Sequence, residues 1–226
     1  MLIKPVDEQD ISLEPEKTEN PPQPIAMRRV SVDYATLATI VRQEIKRNGW
    51  EGCITSTRVV IEVLKRFGVE AAPLSVQTLV FNPFVSKHFS PNKPVPSKKA
   101  LERYVSDRRG WSLGIGFEPA KPEPDKWSGH LVAVVKNGPE GVLIDASLDQ
   151  ATRKQYRIEL FPVALEVRAA LWEVGAQAFF KVNECSLIYK PILQDRSFEE
   201  FEDWTSLDVS DVIERAYQRV LIASLA

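Results

Sequence analysis

Three side chains have the types and the order for covalent acyl chemistry: Cys53, His130 and Asp145. A thiolate attacks an acyl carbon, an imidazole takes and returns the proton, and a carboxylate holds the imidazole in one tautomer. Histidine is scarce, with only His88 and His130 in the chain, so any histidine-dependent step uses one of them. His88 falls in a proline-rich stretch where no neighbouring element fixes its ring. His130 follows Gly129 at the head of an apolar run, and Asp145 interrupts a second apolar run between Ile144 and Ala146. A carboxylate inside an apolar strand costs several kcal/mol unless partnered. A histidine across a hairpin would be its natural partner.

Each residue also has a plainer role open to it. A free cysteine is often a small buried hydrophobe, a strand histidine is often a satisfied core residue, and Asp145 could cap the turn before Leu148. Their joint appearance on suitable elements favours a reactive set. Cys185 has no histidine near it in sequence and reads as structural.

The elements that must position these groups follow from periodicity and punctuation. Asp33 is a candidate N-cap for a helix carrying Leu37, Ile40, Val41 and Ile45, which Asn48-Gly49 ends. A second helix runs from about Cys53 to Phe67, with Val59, Val60, Val63 and Leu64 on its apolar face and Gly68 at its stop. Cys53 at its start would have backbone N–H groups and the helix dipole to favour a thiolate. The Cys53 N–H is then one oxyanion donor. Trp50 is a candidate for the second, and Gln150 for bracing the site.

Residues 69–82 alternate and read as a strand, 83–97 as a loop, 97–108 as a short helix and 111–117 as a strand. The runs GHLVAVV and GVLIDAS around an Asn137-Gly138 turn are a strong hairpin signal. Further strands are expected at 177–182 and 186–192, and a closing helix from about Val209 to Leu221. Helices, then strands, then a helix predict an α+β domain over 28–226. Residues 1–27, acidic and broken by five prolines, read as a flexible arm outside it. The proline-rich loops 83–97 and 118–128 are candidate walls of a cleft.

Bulk properties narrow the function. A formal charge of −2 lacks the basic excess of a nucleic-acid binder, and no apolar run approaches a membrane span. Two cysteines without a recognisable export signal point to a reducing cytoplasm. Gly114-Ile115-Gly116 has neither the third glycine nor the following helix of a dinucleotide signature. No clustered Cys, His or carboxylate set suggests a metal, and no cofactor is implied.

On these motifs the chain resembles the transglutaminase-like, papain-like cysteine enzymes. GWEGCITSTRVVIEVLKRFGVEAAPLSV is similar to their Gly-x-Cys helix turning into a strand. GHLVAVV and VLIDASLDQ resemble their histidine and aspartate strands, including the Asp-Ala-Ser-x-x-Gln continuation. The resemblance covers residues 33–150 and implies a Cys-helix packed on a mostly antiparallel sheet, with Cys53, His130 and Asp145 as the triad. The implied activity is hydrolysis of peptide, isopeptide or side-chain amide bonds. An acyltransferase of transglutaminase or N-acetyltransferase type would use the same triad, and a binding module could keep the fold without turnover. A protein, peptide or small amide or acyl compound is the expected substrate; oligomeric state is open.

Overall fold

The computed structural model describes residues 31–89, 97–106, 109–117 and 127–225. The proposed arm at 1–27 and the middle of both proline-rich loops lie outside them. The described chain is α+β. It opens with α1 (Tyr34–Arg47) and α2 (Cys53–Arg66), and continues through β1 (Ala71–Phe81), α3 (Pro83–Ser86), α4 (Lys98–Ser106) and β2 (Ser112–Ile115). The β3 (His130–Asn137) and β4 (Glu140–Asp145) hairpin follows. Then come β5 (Val163–Arg168), α5 (Ala170–Glu173), β6 (Ala178–Val182), β7 (Cys185–Pro191), α6 (Glu202–Thr205) and α7 (Ser210–Leu225).

The local signals act as expected at the first two helices. Asp33 accepts a hydrogen bond from the Ala35 N–H and caps α1. Gly49 (φ +73°) and Gly68 (φ +72°) take the left-handed backbone that ends each helix without a Cβ penalty.

The strands form one sheet in the order β5-β4-β3-β1-β7-β6, with β2 also on β1. Every strand pair among the described residues is antiparallel. The long strand β1 organises it. Its first half pairs with β3, from Ala71↔Val135 to Val76↔His130, and its second half takes β2 on that side and β7 on the other. On one face α1, α2 and α7 pack over Ala133, Val135 and Ile144. The opposite face buries Val132, Val134, Leu143, Leu187 and Tyr189 under the crossing segment at 148–160. Burial on both faces explains why β3 is a continuous apolar run rather than an alternating one.

Several expectations need correction. Residues 83–97 are not all loop: Asn82 accepts a hydrogen bond from the Val85 N–H, and Pro83 occupies the first helical turn, where its missing N–H costs nothing. His88 is not loosely held, because Tyr104 stacks on its ring at 3.9 Å. The 151–176 region contains an unexpected strand, β5. Buried Val163 and Val167 share it with outward Glu166 and Arg168, but the segment is short and sits at the sheet edge.

Helix α7 is fixed to α1 by charge as well as by apolar packing. The Glu44 carboxylate is only 1% exposed and accepts from Arg215 Nε at 2.9 Å and Arg219 Nη1 at 2.7 Å. Burial would raise its pKa, but these arginines hold it below its ordinary value. Such a carboxylate adds stability above its unfolded pKa of 4.5, and that stability is lost as pH falls through the folded value. Glu44→Gln is therefore expected to lower unfolding stability by about 1–3 kcal/mol at neutral pH. In urea titrations the gap from wild type should close below that pKa; a gap that persists in acid would contradict the clamp.

Candidate active site

The site forms where the first residue of β3 meets the first residue of α2. Ala133 pairs with Ile144, so Asp145 faces Val132 and His130 lies one diagonal further on the same face. From there His130 Nε2 and Asp145 Oδ2 meet at 2.7 Å. The histidine is 3% exposed and the aspartate 0%. The remaining acceptor capacity of the carboxylate is also used. The Tyr189 hydroxyl donates to Oδ2 at 3.0 Å, and the Ser147 N–H and hydroxyl donate to Oδ1 at 3.1 and 3.2 Å. Asp145 thus does both things open to it in sequence: one oxygen caps a turn and the other orients an imidazole.

Cys53 is half-buried at the first position of α2. Its thiol donates to the carbonyl of Gly129, the residue before His130, at 3.9 Å, and the sulfur is one of the groups that raise the imidazole's pKa. With Nε2 taken by Asp145, Nδ1 is the ring nitrogen left for the thiol. Gly52, the N-cap, supplies no side-chain hydrogen bond, so the first N–H groups of α2 are left without a side-chain cap. A β-carbon on Gly52 would stand 3.0 Å from Asp203 Oδ2, so the glycine also allows a close approach.

Electrostatics follow from these contacts. Burial opposes charge on His130, but the Asp145 carboxylate, aided by Cys53, outweighs it and raises the imidazole to about 10. Burial likewise pushes Asp145 up, and the His130 charge together with the donors at its oxygens brings it below its ordinary value. Tyr189 is pushed well above the usual phenol range by burial and by Asp145, so it stays a neutral donor.

A cavity of about 480 Å³ opens beside Cys53 and His130. Its walls include Ile115, Trp127, Gln150, Phe201, Glu202 and Asp203. Gln150 is at the site, where its side-chain amide donates to the Glu51 carbonyl, two residues before the cysteine. Trp50 is not: its ring packs into the helical core and its N–H is spent on the Ile45 carbonyl. The expected cleft walls need the same revision. Of the described parts of the two loops, Trp127 lines the cavity, while residues 83–89 do not.

The missing wall comes from the chain after β7, a region without a motif. Phe198 and Phe201 pack with Ile54, Leu131 and Cys53. The Trp127 indole donates to Ser197 Oγ at 2.9 Å, and Arg58 donates to the carbonyls of Asp203 and Leu207. Cys185 is buried at the start of β7, and His88 stands with α4, away from the cavity. Among the described residues no group of three His, Cys, Asp or Glu side chains is placed to hold a metal, and no helix is long and apolar enough to cross a membrane. No family model, curated protein or solved structure matches this chain.

The pair has a measurable signature. A histidine whose pKa is raised on folding adds stability below its unfolded value, and this is lost as pH rises through the folded value. The window here runs from 6.5 to about 10. The stability difference between wild type and His130→Gln, from urea unfolding, should be greatest below that window and shrink across it. A difference that grows with pH would show that His130 is held neutral.

Proposed function

We propose that the protein is a thiol-dependent acyl-transfer enzyme of the transglutaminase-like, papain-like kind, acting as a hydrolase of peptide, isopeptide or side-chain amide bonds. The supporting observation is convergence: Cys53 at an uncapped helix N-terminus and His130 line one cavity, and a buried carboxylate holds a ring nitrogen of that histidine from behind. The two free cysteines fit a reducing compartment such as the cytoplasm.

The reaction begins with the Cys53 proton on His130. The sulfur attacks the acyl carbon, and the resulting oxyanion is met by the Cys53 N–H. The imidazolium then gives its proton to the leaving amine as the carbon–nitrogen bond breaks, leaving a thioester on Cys53. Water, deprotonated by the now neutral His130, attacks the thioester and releases the acid and the thiol. Asp145 stays ionised throughout and fixes the ring. In the acyltransferase alternative a primary amine replaces water in the last step.

Two measurements test this. In brief iodoacetamide treatment at neutral pH, peptide mapping should show Cys53 labelled well before Cys185, which is 1% exposed and whose thiol burial pushes up in pKa. With an acyl probe, intact mass should show a covalent adduct that Cys53→Ala lacks. On any amide or ester substrate, Cys53→Ala and His130→Ala should abolish turnover, while Asp145→Asn keeps about a hundredfold more activity than either. Full activity in Cys53→Ala would overturn the proposal. Amide formation from an added primary amine would move the acyltransferase to first place.

A further inference from the structure

The charge of the cavity wall carries information about what enters it. Of the described lining residues, Glu51, Glu202 and Asp203 are carboxylates, and none is a lysine or arginine. None of the three carboxylates makes an ion pair with a described residue. The nearby arginines bond neutral backbone carbonyls rather than these carboxylates. Arg58 Nη1 is spent on the Asp203 and Leu207 carbonyls, and Arg153 Nη1 on those of Gln150 and Thr152. Among the described lining residues the one group that can carry positive charge is His130, and it is matched by Asp145.

This arrangement is unusual for a thiol site. Carboxylates beside a forming thiolate and oxyanion oppose both, so on the basis of the chemistry alone they are a liability. Asp203 Oδ2 nonetheless lies close enough to Gly52 that a β-carbon there would meet it at 3.0 Å. A substrate cation would cancel that opposition when it binds. The remaining walls suit the body of such a group: Trp127 and Phe201 add apolar surface for an alkyl stem.

We infer that the Cys53 cavity selects substrates with a positive charge next to the reacting acyl carbon, a lysine or arginine side chain in a peptide, through Glu202 and Asp203 with Glu51 at the rim. This rests on the acyl-transfer reading above, but it is tested on charge alone. Field focusing in a cleft of one sign changes encounter rates by about 10–10³-fold.

The experiment uses three methanethiosulfonate reagents on the full chain at low salt: one neutral, one carrying a trimethylammonium group and one carrying a sulfonate. Each forms a mixed disulfide on Cys53 and releases methanesulfinate, and peptide mapping follows Cys53 separately from Cys185. After each rate is divided by that of the same reagent with a small free thiol, the cationic reagent should react about tenfold or more faster than the anionic one. The ratio should fall towards unity in Glu202→Gln/Asp203→Asn and at high salt. A thermal melt confirms that the variant is folded. Equal rates, or a faster anionic reagent, overturn the charge selection while leaving the triad standing if the neutral reagent still prefers Cys53 to Cys185. A Cys53 that none of the reagents modifies overturns the cavity and the triad together. With peptide amides, the same variant should lose at least tenfold in kcat/KM on a lysine substrate relative to its glutamine counterpart, and an unchanged ratio counts against the inference.

Discussion

A carboxylate with no solvent exposure holds the centre of this molecule. Asp145 would cost several kcal/mol if it were buried without partners. It instead accepts from His130, Tyr189, and the N–H and hydroxyl of Ser147. These donors come from different strands and from the turn after β4. Tyr189 is the most demanding, because β7 stands three places from β4 in the sheet order. At about 4.8 Å per strand that is roughly 14 Å across a flat sheet, further than a tyrosine side chain extends. The hydrogen bond therefore requires the sheet to curl towards a closed form, which gathers the β5 and β7 residues Val163, Val167, Leu187 and Tyr189 into one cluster. Polar satisfaction at one carboxylate and curvature of the whole sheet are the same constraint.

The same constraint fixes the orientation of the imidazole. With Nε2 fixed by Asp145, the ring cannot rotate away, and its other nitrogen is left for Cys53. The cysteine depends on a local rule being broken. Asp33 and Asn82 cap α1 and α3 with their side chains, whereas Gly52 leaves α2 uncapped. A side-chain cap is worth about 1 kcal/mol; the short helices α5 and α6 also start without one, and at α2 the uncapped N–H groups adjoin Cys53. Departures from local consistency are expected at functional sites.

What was legible in sequence follows the range of each interaction. The helix limits rested on Asp33, Gly49 and Gly68, and the hairpin on Asn137-Gly138; each acts within a few residues and was readable. Cys53, His130 and Asp145 were readable for another reason, since a chain with two histidines leaves few combinations. Tyr189 was invisible because its partner is 44 positions away, and an aromatic in an apolar strand looks like core. Trp50 misled through proximity to Cys53 in sequence. The turn that ends α1 sends its ring into the helical core instead. The edge strand β5 was missed because it has no turn signal of its own and depends on β4 for pairing.

The wall at Phe201–Asp203 shows how the return of the chain to α7 sets the charge of the cavity. Strand β7 ends at Pro191 against the start of the β1–β7 ladder, and α7 must lie on α1 and α2 to bury Val212, Ile213, Ala216 and Val220. The chain between these two fixed points has to pass the N-terminal end of α2. Phe198 anchors it in the small cluster with Ile54 and Leu131, and Arg58 ties α6 to the helix that begins with Cys53. A segment held at both ends and pinned in the middle keeps its outward residues in place, so Glu202 and Asp203 can change in chemistry without moving Cys53, His130 or Asp145. The arrangement of Cys53, His130 and Asp145 is set by the sheet and α2, and the charge on the cavity wall is set by the return to α7. The three buried or half-buried polar side chains and the acidic wall thus belong to different parts of the fold.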